Sequence, residues 1–245
     1  MREAMSQRTH FDLPGGRIEA RVNLPKGRPT ILLCHGYPGT NLNVDTAVAL
    51  HEIGFGTVVW RYRGVEDQPG TYGFRQNEKD IIDLAGVLRE AGLAPFGLGI
   101  LGFSMGGFFA SRALVSRPDL ADFLVLMAPM TTLQGLPFDI EGFFRDGGGL
   151  IGGDAEARVK EAMSYREGEE PVALAAHIRA PTLVIHGSRD EIVPPDHSER
   201  FAGVLRAPSD LVTLPTDHSF AGQHGAVARA IDHFVESRNL ALKPS

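Results

Sequence analysis

Cysteine is nearly absent from this sequence. Cys34 is the only one in 245 residues, so no internal disulfide can form and packing must hold the fold together. Basic residues are outnumbered, 24 Lys and Arg against 30 Asp and Glu. The resulting net charge of -6 argues against a nucleic-acid partner, whose phosphates call for clustered cations. Long apolar runs are missing as well: Phe123 to Ala128 has the length of a strand, far short of the ~20 residues that cross a bilayer. The first eight residues lack the apolar core of a secretory signal. The nine histidines fall in no metal-ligand spacing, and His51-Glu52 lacks the second histidine of H-E-x-x-H. Repeats and low-complexity tracts are missing too. These absences lead to the expectation of a cytoplasmic protein with no metal, no cofactor, no membrane association and no nucleic-acid partner.

What the chain does have is apolar material, 43% of its residues, and enough length for a generous core. The stretch from Gly97 to Gly107 organises the rest. Leu98, Ile100, Leu101 and Phe103 suit a strand covered on both faces. Gly102-Phe103-Ser104-Met105-Gly106 then fits G-x-S-x-G, after which Phe108 to Leu114 can run on as a helix. A serine at such a strand-to-helix turn is held in strained backbone with its hydroxyl pushed out at the end of the sheet. Side chains two residues before and two after would collide, which is why both positions are glycine. The helix starting just beyond directs N–H groups and its positive end toward any oxyanion formed there. Gly97 to Gly102 also spells G-x-G-x-x-G. A dinucleotide site needs those glycines after the strand, whereas here they lie within it, so the cofactor reading is set aside.

Along the chain, Thr9 to Leu13 and Arg17 to Asn23 flank Pro14-Gly15-Gly16 and read as a hairpin. Strands follow at Thr30 to His35, Phe55 to Tyr62, Phe123 to Ala128, Pro181 to His186 and Asp210 to Leu214. Helices are expected at Asp45 to Ile53, Glu78 to Ala91, Ser198 to Leu205 and Ala226 to Arg238, with a polar, glycine-bearing loop from Arg63 to Asn77. Between Met130 and about Ala176 the rhythm breaks: glycines crowd around Leu136, Phe138, Phe143, Phe144, Leu150 and Ile151, and polar helical material follows from Ala155 to Tyr165. The expected class is α/β, a mostly parallel doubly wound sheet with an antiparallel N-terminal hairpin. Residues 1–245 read as one domain with a small cap inserted at about 130–176.

A serine nucleophile needs a base, a carboxylate to orient that base, and donors for the oxyanion. Asp190 lies in the loop leaving the strand at Leu183 to His186, and His218 in the loop leaving the strand at Leu211 to Leu214. In an open parallel sheet both loops gather at the carboxyl edge, where Ser104 also lies. Asp217 and Asp196 are rivals of Asp190, but Asp217 adjoins His218 in the chain and neighbours rarely face each other. His35 and His186 each end a strand before a glycine, and for both a structural hydrogen-bonding role is expected. Cys34 is expected in the core.

Taken together, these motifs resemble the α/β-hydrolase superfamily. The chain is most similar to its small esterases of the cinnamoyl/feruloyl type and to the catalytic domains of acyl-peptide hydrolases. The likeness runs through His35-Gly36, Tyr62-Arg63-Gly64, the Ser104 turn, Gly187-Ser188-Arg189-Asp190-Glu191-Ile192-Val193-Pro194 and Asp217-His218-Ser219-Phe220. It implies Ser104 as nucleophile, His218 as general base and acid, Asp190 as orienting carboxylate, and the N–H groups of Met105 and Tyr37 as the oxyanion hole. The expected reaction is hydrolysis of a small-molecule carboxylic ester through an acyl-enzyme. Amide or peptide, thioester and carbon–carbon hydrolysis are alternatives on the same triad, and a non-catalytic receptor is the alternative of another class. Phe138, Phe143, Phe144, Leu150 and Ile151 either line an apolar acyl pocket or hold the cap down. The oligomeric state stays open.

Overall fold

The computed structural model describes residues 7–39, 42–149 and 151–241. Eight strands form one sheet in the order β1-β2-β4-β3-β5-β6-β7-β8. β1 (Gln7–Leu13) and β2 (Gly16–Asn23) make the antiparallel hairpin, and β2 lies antiparallel against β4 (Gly56–Trp60). From β4 onward every pairing is parallel: through β3 (Thr30–Cys34), β5 (Leu98–Phe103), β6 (Phe123–Met127) and β7 (Thr182–Gly187) to β8 (Ser209–Leu214). Strand order reverses about β3, and the loops leaving the parallel strands meet at one carboxyl edge.

The central strands are buried on both faces, so their sequences are apolar throughout rather than alternating. The two-residue period still sorts them. Leu32, Cys34, Leu98, Ile100, Leu124 and Leu126 face a core shared with α2 (Phe74–Glu90), α3 (Met105–Ser116) and α7 (Asp196–Val204). Ile31, Leu33, Leu101, Phe103, Val125 and Ile185 face a second core under α1 (Val44–Glu52) and α8 (His224–Ser237). Among the described residues, no helix is long and apolar enough to cross a membrane.

Most element ends fall within one or two residues of expectation, the usual uncertainty of helix and strand ends. α2 is the exception. It begins at Phe74 instead of Glu78, consuming the end of the expected Arg63–Asn77 loop. Its first N–H groups need acceptors that the local sequence lacks: Gly73 stands at the cap position and offers no side chain. The Glu161 carboxylate supplies them from afar, accepting from Phe74 N at 3.0 Å and Arg75 N at 3.1 Å.

Glu161 belongs to α5 (Ala155–Ala162), one of three α-helices among the described residues between β6 and β7, with α4 (Ile140–Asp146) and α6 (Pro171–Leu174). This β6–β7 segment is pinned to the carboxyl edge. Ile151 bridges Val65 in antiparallel fashion, and the buried Arg158 donates to the carbonyls of Phe144 (2.7 Å) and Arg145 (2.9 Å) at the end of α4. Two residues before Val65, Arg63 of the Tyr62-Arg63-Gly64 motif is almost wholly buried. It ties the hairpin to α2 through Gly16 O at 2.9 Å and the Asp80 carboxylate at 2.8 Å.

Candidate active site

Ser104 occupies the turn between β5 and α3 with φ 52° and ψ -122°, a left-handed conformation that a non-glycine residue adopts only under strain. Neighbouring strands hold it there. Ser104 N donates to Met127 O at 2.9 Å, and Ser104 O accepts from Gly107 N at 2.9 Å and Met130 N at 3.0 Å. The flanking glycines are sterically obligatory. A Cβ at Gly106 would lie 2.1 Å from the carbonyl oxygen of Cys34, and one at Gly102 would lie 2.6 Å from the Gly107 Cα. Gly99, the middle glycine of G-x-G-x-x-G, sits in β5 under the ring of Phe123, which a Cβ would meet at 2.3 Å. Strand packing thus accounts for that motif. Met105 opens α3, so its N–H is one of the helix's unsatisfied donors.

The loop after β3 comes up against this turn. A Cβ on Gly36 would stand 3.0 Å from Ser104 Cβ, and that closeness brings the Tyr37 backbone to the serine. The Tyr37 side chain packs into the β6–β7 segment. Its hydroxyl donates to Phe144 O at 2.6 Å, and its ring packs on Phe143 at 4.9 Å and Phe144 at 5.2 Å.

Asp190 follows β7, and its carboxylate is fully enclosed. Oδ1 accepts from the backbone N–H of Ile192 and Val193, both at 2.9 Å, and Oδ2 lies 2.7 Å from His218 Nδ1. Burial by itself would raise this carboxyl's pKa. Hydrogen bonds from His186 and His218, the charge of His218 and the Val193 N–H outweigh that and hold it well below the usual carboxylate range. The His218 ring packs on Phe103 at 4.9 Å, and its loop is anchored two residues on by the wholly buried Phe220. Nδ1 faces a carboxylate and therefore carries the proton, which leaves Nε2 as the free basic nitrogen.

Ser104 and His218 line one cavity of about 540 Å³. Tyr37, Pro38, Phe103, Met130, Phe143 and Ile192 give it apolar walls, and Arg189, Glu191 and Asp217 add charge. Among the hydrogen bonds of the described residues, the His218–Asp190 link is closed and a Ser104–His218 link is not, as is common for catalytic hydrogen bonds before substrate arrives. Such a site can deprotonate a serine hydroxyl, hold the resulting imidazolium against a carboxylate, and accommodate an apolar group beside the serine.

Asp217, the rival carboxylate, is exposed and turned onto its own loop, accepting from Ser219 N (3.0 Å) and Ser219 Oγ (2.8 Å). Of the five apolar residues expected around an acyl group, Phe143 lines the cavity. Phe144 and Ile151 are buried in the core of the β6–β7 segment, Phe138 packs on Phe143 at 5.1 Å from outside the lining, and Leu150 lies outside the described residues. Most of these aromatics therefore hold the segment in place. His186 went unrecognised as a partner of Asp190, although the four-residue spacing across a glycine was a visible signal. A second groove of about 450 Å³ runs along the hairpin, with Arg8, Arg17, Arg21 and Arg61. Arg8, Arg17 and Arg61 face Glu19, Asp12 and Glu66 in ion pairs, and the lining of the groove includes neither Ser104 nor His218.

Comparison with known proteins gives the chain a family and a set of structural neighbours. The model of the prolyl oligopeptidase family matches residues 54–236. An uncharacterized protein of Mycobacterium tuberculosis (strain ATCC 25618 / H37Rv) is 28% identical over 193 residues, covering 76% of this chain. The chain spans 61% of the length of that relative. Est1E from Butyrivibrio proteoclasticus, solved with ferulic acid bound, shares the fold at a TM-score of 0.76 with 21% identity, covering 94% of this chain and 99% of its own. A Mycobacterium tuberculosis puromycin-hydrolyzing peptidase superposes at 0.69 with 25% identity, covering 96% of this chain and 40% of its own.

Proposed function

The chain belongs to the prolyl oligopeptidase family, and from that premise we propose that it is a serine hydrolase that cleaves carboxylic esters through an acyl-enzyme, with Ser104, His218 and Asp190 as its triad. The observation that carries this reading is the enclosed Asp190–His218 pair at 2.7 Å opening onto the same cavity as a strained Ser104.

In this mechanism Ser104 Oγ attacks the ester carbonyl as His218 Nε2 takes its proton. The N–H groups of Met105 and Tyr37 stabilise the tetrahedral oxyanion, each worth on the order of 10²–10³ in rate. The imidazolium, held by Asp190, protonates the leaving alcohol. Water then attacks the acyl-enzyme with His218 again as base and releases the acid. The apolar walls beside Ser104 favour an aryl or short alkyl acyl group, and the β6–β7 segment acts as a small cap that carries Phe143 into the cavity. A second reading, cleavage of an amide bond in a peptide or acyl-amino acid, draws support from the family match and the puromycin-hydrolyzing neighbour.

Ser104→Ala is expected to abolish hydrolysis of activated aryl esters and labelling by a fluorophosphonate while the melting temperature stays near that of the parent. Residual turnover above a few per cent would remove Ser104 from the mechanism. A panel of aryl esters, alkyl esters, a thioester and peptide anilides, compared by kcat/KM, separates the two readings. A preference for anilides over the matching esters would overturn the ester assignment.

A further inference from the structure

The Asp190 carboxylate serves two imidazoles. Oδ2, the oxygen 2.7 Å from His218 Nδ1, also lies 3.1 Å from His186 Nε2. That nitrogen is 2.9 Å from Val193 O as well. Both neighbours are acceptors without hydrogens, so His186 Nε2 must carry the proton and share it between them. Nδ1 then accepts from Ser198 Oγ, 2.6 Å away on α7. His186 and Ser198 are each 1% exposed, and neither lines the cavity that holds Ser104. The result is one line of polar groups, buried from the Ser198 hydroxyl through the His186 ring to the Asp190 carboxylate and reaching the cavity at the His218 ring.

We propose that His186, oriented by Ser198, is a positioning residue for the triad: it fixes the Asp190 carboxylate toward His218 and draws off part of the charge on which His218 leans. The proposal rests on the triad reading above. A hydrogen bond donated to Oδ2 stabilises the carboxylate and spreads its charge, so Asp190 holds a protonated His218 less tightly than it would alone. Without that donor the carboxylate is freer to rotate, and the imidazolium is held more strongly. Arg189, Glu191 and Asp217 line the cavity with His218, and His197 on α7, itself beside Asp196 and Arg200, lies within electrostatic reach of His186 and Asp190. All of them stay constant in the test.

Three variants supply that test. His186→Leu removes the donor at similar volume. His186→Gln keeps an N–H on the Nε2 side, and Ser198→Ala loosens the ring without touching it. For His186→Leu the expected result is a fall in kcat of about tenfold, the loss usual for a residue that orients a catalytic group, with KM unchanged and the acid limb of the pH–rate profile moved to higher pH. His186→Gln recovers most of both effects, and Ser198→Ala shifts both in the same direction by less. The downfield ¹H resonance of the proton between His218 Nδ1 and Asp190, identified by its loss in His218→Gln, moves in His186→Leu and returns in His186→Gln. That resonance needs no turnover. A wild-type protein inert to every ester and to fluorophosphonate would sink the hydrolase reading while the spectrum still judged His186. A folded His186→Leu with parental kcat, acid limb and resonance would overturn the proposal. So would a loss confined to KM, or one that glutamine fails to restore. Should His186→Leu not fold, Ser198→Ala decides: parental values there overturn the proposal.

Discussion

Two strands of this sheet end in the same dipeptide, and the two ends do different things. After β3, His35 accepts from Tyr62 N at Nε2 (3.2 Å) and so carries its proton on Nδ1, which donates to Gly36 O at 2.7 Å. Both ring nitrogens are bonded to backbone, and burial lowers the ring's pKa to about 4, so it stays neutral. At the end of β7, His186 is the opposite tautomer, with its proton on Nε2 facing Asp190 and Val193. The glycines diverge too. Gly36 yields space to Ser104 Cβ, while Gly187 yields it to the loop before His218, where a Cβ would stand 2.5 Å from Thr216 O and 2.7 Å from Asp217 O. A His-Gly strand end is therefore a way of bringing a second segment in close. What it does depends on which segment that is: the Tyr62 backbone and the Ser104 turn at β3, the Asp190 carboxylate and the loop that carries His218 at β7.

Gly187→Ala is the most severe way to test that contrast. It has no flexible side chain to displace and must push back the backbone that carries His218. Loss of most kcat together with a lowered melting temperature is expected, read by ester hydrolysis and thermal unfolding; parental kinetics would show that the loop has room. Gly36→Ala meets Ser104 Cβ at 3.0 Å, a contact that small shifts relieve. Its expected loss is in kcat, smaller than for Gly187→Ala and with little change in melting temperature. Replacing His35 by Leu leaves the buried Tyr62 N–H without its acceptor, an expected destabilisation of about 1–3 kcal/mol. The acid limb of the activity profile should stay in place. Movement of that limb as in His186→Leu would erase the distinction between the two ends.

The smallest effect is on stability against pH. The folded pKa values of His35 and His197 are lowered by burial to about 4, below the 6.5 of a free imidazole. Between those values the unfolded chain binds more protons than the folded one. Stability is therefore full above about pH 6.5 and is lost progressively as pH falls toward 4. Urea titrations across that window should give a declining unfolding free energy. The decline should be shallower in His35→Leu measured against its own value at neutral pH, and an equal slope in both proteins would place the acid sensitivity elsewhere.

Much of this was legible in residue order. The Ser104 turn announces itself because the glycines that permit it are within two residues of the serine. Asp190 and His218, which the structure brings within 2.7 Å, stand out because each follows an apolar strand in a loop that must reach the carboxyl edge. The start of α2 was not legible: the acceptors for its first N–H groups come from Glu161, in a helix beyond β6. Nor was the division of the aromatics. Phe143 and Phe144 are chain neighbours on one short helix, yet one lines the cavity and the other is wholly buried against Tyr37 and Phe74. Helical geometry points consecutive side chains about 100° apart, and only the surface below decides which direction is the cavity.

By itself, then, the sequence determined the doubly covered parallel sheet, the antiparallel hairpin and the serine turn, because periodicity and steric exclusion act between residues a few positions apart. Tertiary structure decided how closely Asp190 meets His218, that His35 reaches the Tyr62 backbone, and that Tyr37 ties the loop beside Ser104 to Phe144. Those are meetings between segments carried by different strands. Strand order and the depth of each loop set them at a scale of about 3 Å, the reach of a hydrogen bond, which no local pattern encodes.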